Sequence, residues 1–427
     1  MFRASRFLVS RWISGRRCVN NFIVPPDFPQ PSGWAVVSLE SISNGIFDCP
    51  HSTPSFVSSG YSVVRTPDII TGTLDLSKAL MVSKETYLER VKRAEPHAND
   101  ILLSREGTYF GIAAVIPPGT KLCLGQRMVL IRPKNNIDPR FIKYWINSPF
   151  MKGHIAGFRD GSVAERLNLP TIRNLPIALP SLPEQRAIAG VLSSLDDKID
   201  LLRRQDKTLE AMAEVLFRQW FIEEADEGWD EGSIADYATH LKESVRPQEH
   251  PDSLFEHYSI PAFDAAEWPS SEYGRTIQSN KYKVVKDCLL FSKLNPHRDK
   301  RIWLMPSVIE NNSICSTEFQ VILPRKAEHL FFLYCWLSFK ENYNELASGV
   351  GGTSGSHQRI DPHSILSFRC PIVPENFINS FNKQVTPLFN QKRNNQLQIR
   401  TLTSFRDTLL PKLMSGEVRV DMRANHA

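Results

Sequence analysis

From Leu182 to Phe221, apolar or small residues recur at steps of four and three. They fall at Ile188, Leu192, Leu195, Ile199, Leu202, Leu209, Ala213, Leu216 and Trp220. That heptad period keeps one stripe of a long helix facing a partner helix. No glycine or proline interrupts it after Val191, and Pro183 and Glu184 suit the first turn of a helix. A second stretch, Pro374 to Met414, also opens on Pro-Glu and carries the same seam at Phe381, Val385, Leu388, Ile399, Leu402, Leu409 and Leu413. Thr208-Leu209 is answered by Thr401-Leu402, and Leu216 by Leu409. Polar residues at seam positions (Asp206, Lys392, Asn395 and Arg406) are expected to fix register and partner at some cost in stability.

The two helices divide the chain into similar halves. Gly33-Trp34 is matched by Gly228-Trp229, and the apolar run Asp100–Arg105 by Asp287–Lys293. Val129–Lys134 is matched by Val321–Lys326, and Phe141 and Trp145 by Phe332 and Trp336. Gly161-Ser162, Pro180 and Pro183 then answer Gly352-Thr353, Pro371 and Pro374, which reads as one gapless register from Phe141 to Pro183. This predicts a duplicated domain-plus-helix unit of mixed α/β (α+β) class, with short buried strands and one or two helices per domain. The expected boundaries are a basic, disordered extension over 1–31, a first domain over 32–181 and a central helix over 182–222. A second domain over 223–373, a second helix over 374–417 and a tail over 418–427 follow. The second domain carries a long polar insertion near 240–275.

Charge is uneven. Residues 1–180 hold 22 basic and 13 acidic residues, whereas residues 230–373 hold 15 and 18. The first half suits a polyanion, and the second needs a local patch to do the same. The clusters Lys281-Tyr282-Lys283 and His297–Arg301 are places for one. The arginines and serines of residues 1–22 fit a targeting segment, a flexible basic arm or a start placed too early. The seven cysteines form no C-x-x-C pair, which favours a reducing, cytoplasmic compartment over disulfides or zinc. No apolar run is long enough to span a bilayer.

Signatures of catalysis are missing: there is no phosphate-binding loop, dinucleotide fingerprint, H-E-x-x-H or nucleophile elbow. His240, His250 and His257 read as surface residues without metal-ligand spacing, and Asp196, Asp197 and Asp200 as a solvated or partner-facing acidic flank. Two loops at matching places stand out. Phe158–Asn168 offers Arg159, Ser162, Arg166 and Asn168. Gly349–Arg359 offers Thr353, Ser356, His357, Gln358 and Arg359. Backbone amides and hydroxyls position phosphates, while Arg, Asn and Gln read guanine and adenine edges. These residues are the candidate DNA contacts. The candidate partner-facing seam is Leu192, Leu195, Ile199, Leu202, Asp206, Leu209, Leu216, Val385, Leu388, Ile399, Leu402 and Leu409.

The runs Leu182–Ala189 (LPEQRAIA), Leu192–Leu201 (LSSLDDKIDL) and Thr208–Phe217 (TLEAMAEVLF), with Leu409–Glu417 (LLPKLMSGE), resemble the conserved regions of type I restriction–modification specificity subunits. The resemblance extends from about Trp34 to Val420. It implies two target-recognition domains held by an antiparallel pair of conserved helices, each domain reading one part of a split sequence in double-stranded DNA. It further implies a non-catalytic subunit without cofactor or metal. Its helices would dock modification subunits that methylate adenine with S-adenosylmethionine, and motor-nuclease restriction subunits would join them. A non-catalytic protein-binding scaffold and a specificity subunit with one inactive recognition domain are the alternatives.

Overall fold

The computed structural model describes residues 17–19, 22–24, 28–70, 72–107, 109–158, 166–297, 300–305, 307, 309–348 and 358–420. The chain forms two compact units. The first is Met1–Asp200 with Arg400–Ala427, and the second is Leu201–Ile399. Each long helix thus contributes one part to each unit, so neither helix is a separate body.

The first unit contains β1 (Arg17–Val19), β2 (Phe22–Val24), β3 (Ala35–Ser38), β4 (Ser43–Asp48), β5 (Tyr61–Val64), β6 (Leu80–Val82) and α1 (Lys84–Arg90). It continues through β7 (Ile101–Ser104), β8 (Ala113–Val115), β9 (Leu122–Leu124), β10 (Met128–Pro133), α2 (Pro139–Asn147), α3 (Pro149–Ala156), α4 (Leu169–Arg173) and β11 (Pro176–Leu179). The helix α5 (Leu182–Arg218) follows. A central sheet of order β4-β10-β7-β8 is buried on both faces. Ile101, Leu103, Val129 and Ile131 face α2, α3 and the start of α5, while Leu102, Met128 and Leu130 face Val64, Ile69 and Leu122 beside the smaller sheet β6-β5-β9. Burial on both sides is why these strands read as continuous apolar runs. The expectation of a disordered extension over 1–31 does not hold for residues 17–19, 22–24 and 28–31. β1 pairs with β2, and Val24 and Phe28 are buried in the core, Phe28 edge-on to Trp145.

The second unit repeats the plan with α6 (Ile234–Tyr237), β12 (Ala238–Leu241), β13 (Ser244–Val245), β14 (Leu254–Tyr258), α7 (Ile260–Ala266), β15 (Ser270–Tyr273) and β16 (Lys281–Lys283). Then come β17 (Leu289–Ser292), β18 (Ile302–Leu304), β19 (Ser313–Cys315), β20 (Phe319–Pro324), α8 (His329–Ser338), α9 (Lys340–Ser348), α10 (Pro362–Leu366) and α11 (Glu375–Met414). The order β12-β20-β17-β18 reproduces β4-β10-β7-β8. The parallel pairing of β14 with β19 reproduces that of β5 with β9. The polar stretch 240–275 is therefore no insertion. It supplies β13, β14, α7 and β15, the counterpart of the first unit's β5–β6 region.

The geometry also corrects the repeat register. Trp145 and Trp336, 191 positions apart, donate their indole N–H groups to the carbonyls of Pro176 and Arg369, which are 193 apart. The caps Asn168 and Asp361 and the buried Ile172 and Ile365 keep the 193 spacing. The second loop is two residues longer than the first, so the gapless match across it, including Pro180 with Pro371, does not hold.

Candidate nucleic-acid interface

The segment after the central strand is anchored alike in both units. In the first, Glu106 bridges Arg166, and the Leu167 amide donates to the Arg105 carbonyl at 2.8 Å. In the second, Leu294 bridges Arg359, and the Ile360 amide donates to the Lys293 carbonyl at 3.0 Å. Buried Leu167 and Ile360 pin each strap, and Asn168 or Asp361 then caps a short helix. The two candidate loops end at these straps, which is the structural basis of the equivalence read in the sequence.

The individual residues fare differently. Arg159, Ser162, Thr353, Ser356 and His357 lie outside the described residues. Arg166 is exposed at the strap. The side-chain oxygen of Asn168 accepts from the Thr171 amide at 2.8 Å, so Asn168 is engaged as a helix cap rather than projecting as a reader of bases. The Gln358 carbonyl accepts from the Asn295 amide at 2.8 Å. Arg359 forks onto the Glu318 carboxylate at 2.8 and 2.7 Å, which fixes its guanidinium plane at the surface.

The helix pair was more legible. In the first unit, Ile188, Ala189 and Leu192 of α5 pack with Leu410, Leu413 and Met414 of α11. In the second, Ala213, Phe217 and Phe221 pack with Phe381, Val385 and Phe389. The helices run antiparallel in both. Leu192, Ile199, Leu202, Asp206 and Val385 are buried as the seam requires, while Leu195, Leu209, Leu216, Leu388, Ile399, Leu402 and Leu409 are half-buried. Gln185 of the LPEQR run is buried, donating to the Pro180 carbonyl at 2.9 Å and accepting from the Asp138 amide at 3.0 Å. It thereby ties the start of α5 to the cap of α2, a role that periodicity does not reveal.

Asp196 is not part of a solvated flank. It accepts from Lys143 at 3.1 Å, Tyr144 at 2.6 Å and Arg406 at 2.9 Å, joining α2, α5 and α11. Burial pushes its carboxyl up, but Lys143, Tyr144 and Arg406 together outweigh burial and hold it below the usual range. In the second unit the comparable corner is aromatic. Phe389 stacks on Phe331 at 4.8 Å and meets Tyr334 edge-on at 5.3 Å. Beside it, Lys392 bridges Glu210 and Glu267. Outside the seam, Leu201, Val215 and Ile222 recur on a multiple of seven and are exposed, Val215 by 64%. On α11, Phe405 is 56% exposed.

Residues 31–211 match the family described as the type I restriction modification DNA specificity domain. Over 368 residues the chain is 27% identical to the type I restriction enzyme MjaIX specificity subunit of Methanocaldococcus jannaschii, covering 80% of this chain and 82% of that one. The HindI specificity subunit of Haemophilus influenzae is 24% identical over 343 residues, covering 62% and 73% of the two chains. Among solved structures, the type I restriction-modification S subunit of M. genitalium shares the fold, with a TM-score of 0.53 at 15% identity over 89% of this chain and 96% of that one. The chain is similar to type I restriction specificity subunits over most of its length, and residues 31–211 carry the match to their DNA specificity domain. Two copies of one domain plan each pack against part of the same pair of long helices. Among the described residues no helix is long and apolar enough to cross a membrane.

Proposed function

We propose that the chain is a specificity subunit that reads a two-part sequence in duplex DNA, one part with each unit, and catalyses nothing itself. The observation that carries the reading is the paired strap. The same backbone anchoring presents Arg166 in one unit and Gln358-Arg359 in the other, on sheets of matching order. Two similar readers joined by one helix pair convert the distance between contacted blocks into part of the recognised sequence. The unbroken α5 has 37 residues, roughly 55 Å of helix at ~1.5 Å each, and contributes to both units.

The exposed apolar positions Leu201, Val215 and Ile222 support docking of helices from modification subunits, because a solvated helix face seldom places large apolar residues at heptad spacing. Restriction subunits join through that assembly, and S-adenosylmethionine is bound by the modification subunits. Mapping methylated adenines in cells carrying the modification subunits, with and without this chain, tests the reading. A split motif that depends on the chain supports it, and a methylation pattern indifferent to the chain contradicts it.

A further inference from the structure

The second unit is acidic overall, yet the end of its central sheet gathers cations on one face. Alternation along β12 puts His240 on the same side as Ile322 of β20, and alternation along β17 and β20 puts Phe291 beside Gln320. Continuing the period by one step carries Lys242, Lys293 and Glu318 onto that face, where the Lys293 amide donates to the Glu318 carbonyl at 2.9 Å. The strap adds Arg359, forked on Glu318, and α10 adds His363, while the Gln320 amide donates to the Pro362 carbonyl at 3.2 Å. Lys242 and Arg359 are exposed and Lys293 is half-buried.

Glu318 is the carboxylate that Arg359 engages, so Lys242 and Lys293 remain in excess. The field is felt locally. Burial lowers the Lys293 ammonium below its ordinary value, and Lys242 and Arg359 lower it further against the opposing pull of Glu318. Burial likewise lowers His240, with Lys242, Lys293 and His363 adding to the effect. The first unit differs at this point. Arg105, which holds the strap position of Lys293, is buried and paired with Asp48 at 3.0 Å. Its charge is neutralised within the fold, whereas the half-buried Lys293 ammonium donates to the neutral Thr317 carbonyl at 2.8 Å and lies among other cations.

We propose that Lys242 and Lys293 form a contact for the phosphate backbone of duplex DNA, through which the acidic second unit holds its half of the target. The two lysines act as point charges on a neighbouring phosphodiester, while the Arg359 fork stays engaged on Glu318. The contact positions the unit and carries no base preference. This inference rests on the DNA-reading function proposed above.

The test uses the full chain assembled with its modification subunits, titrated against a random-sequence duplex over a range of salt. Lys242→Ala/Lys293→Met keeps the apolar stem of the half-buried lysine. It should make the log–log salt slope shallower by about 2 and weaken binding on the order of tenfold at low salt, because each lost phosphate contact contributes ~0.9 to the slope. An unchanged slope overturns the inference and leaves the DNA-reading function standing. An equal loss from Arg275→Ala, which removes an exposed charge paired with Asp252, also overturns it, since net charge would then suffice. A changed methylation motif in the double variant overturns the phosphate role in favour of base reading. Wild-type assemblies without salt-dependent DNA binding overturn both proposals. Unchanged thermal melting of the double variant establishes that the fold is intact.

Discussion

Asn395 of α11 donates a 2.8 Å hydrogen bond to the Asp206 carboxylate of α5, and both side chains are buried at the one place where the α5 seam loses its apolar period. Gln391 donates to the Asn395 oxygen at 2.8 Å, so the pair is satisfied from its own helix as well as across the seam. Removing one member leaves a buried polar group stranded, whereas replacing both leaves none. Asn395→Leu should therefore cost about 1–3 kcal/mol, and Asp206→Leu/Asn395→Leu should recover most of it. Denaturant unfolding of the four proteins of that cycle checks this. Additive losses would mean that the two residues are not coupled.

The two aspartates of α5 should respond to pH with opposite signs. Burial pushes the Asp206 carboxyl up to about 6, opposed by Asn395 and Lys392 and reinforced by Glu210 and Glu267. The folded chain then binds this proton more firmly than the unfolded chain, so the contribution of Asp206 to stability falls as pH rises from about 4 to about 6. Asp196 is depressed, so its contribution is present above the unfolded carboxylate value and is lost as pH falls through the folded one. Unfolding midpoints followed from below the ordinary aspartate value up to about pH 6 should lose the alkaline-side decline in Asp206→Asn and the acid-side decline in Asp196→Asn. The same pH profile in both variants would contradict the assignment.

Gly416 ends α11 with φ of +70°, and a Cβ there would come within 2.6 Å of Pro31. Gly416→Ala meets a strained backbone and a blocked site at once, and should destabilise the chain by about 1 kcal/mol or more. A melting temperature equal to wild type would show that the Pro31 segment does not pack against the helix end.

The seam and the exposed stripe should separate folding from assembly. Val215→Glu alters an exposed side chain and should leave melting unchanged while abolishing co-elution with modification subunits in size-exclusion chromatography. Leu192→Glu places a charge in the core of the first unit and should impair folding itself. Normal assembly of the Val215 variant would remove that face from the docking surface.

The helices were legible because a long seam repeats one signal many times, and the central strands because burial on both faces makes Ile101–Leu103 and Leu289–Phe291 uniformly apolar. The β14–β15 region was missed for the converse reason. Its strand residues Glu256, His257 and Glu272 are polar and find polar partners across the sheet, Glu256 in Ser271 and His257 in Glu272 at 3.0 Å, so the stretch resembled a loop. The partner-facing reading of Asp196 agrees with its contact to Arg406 of α11, but its contacts with Lys143 and Tyr144 lie on another element, which no spacing within α5 reveals. The strap equivalence was visible as two similar loops, but the two-residue difference between them was hidden by chance agreement of prolines. The cation face of Lys242, Lys293 and Arg359 is assembled from three distant segments, and net charge over the whole half concealed it.

The most direct test of a split reader is to map methylated adenines with wild-type chain and with Arg166→Ala, in cells that carry the modification subunits. A two-part motif in which the variant relaxes one block and leaves the other block and the spacing unchanged is the predicted result. A single contiguous motif, or equal relaxation of both blocks, would contradict the assignment of one block to each unit.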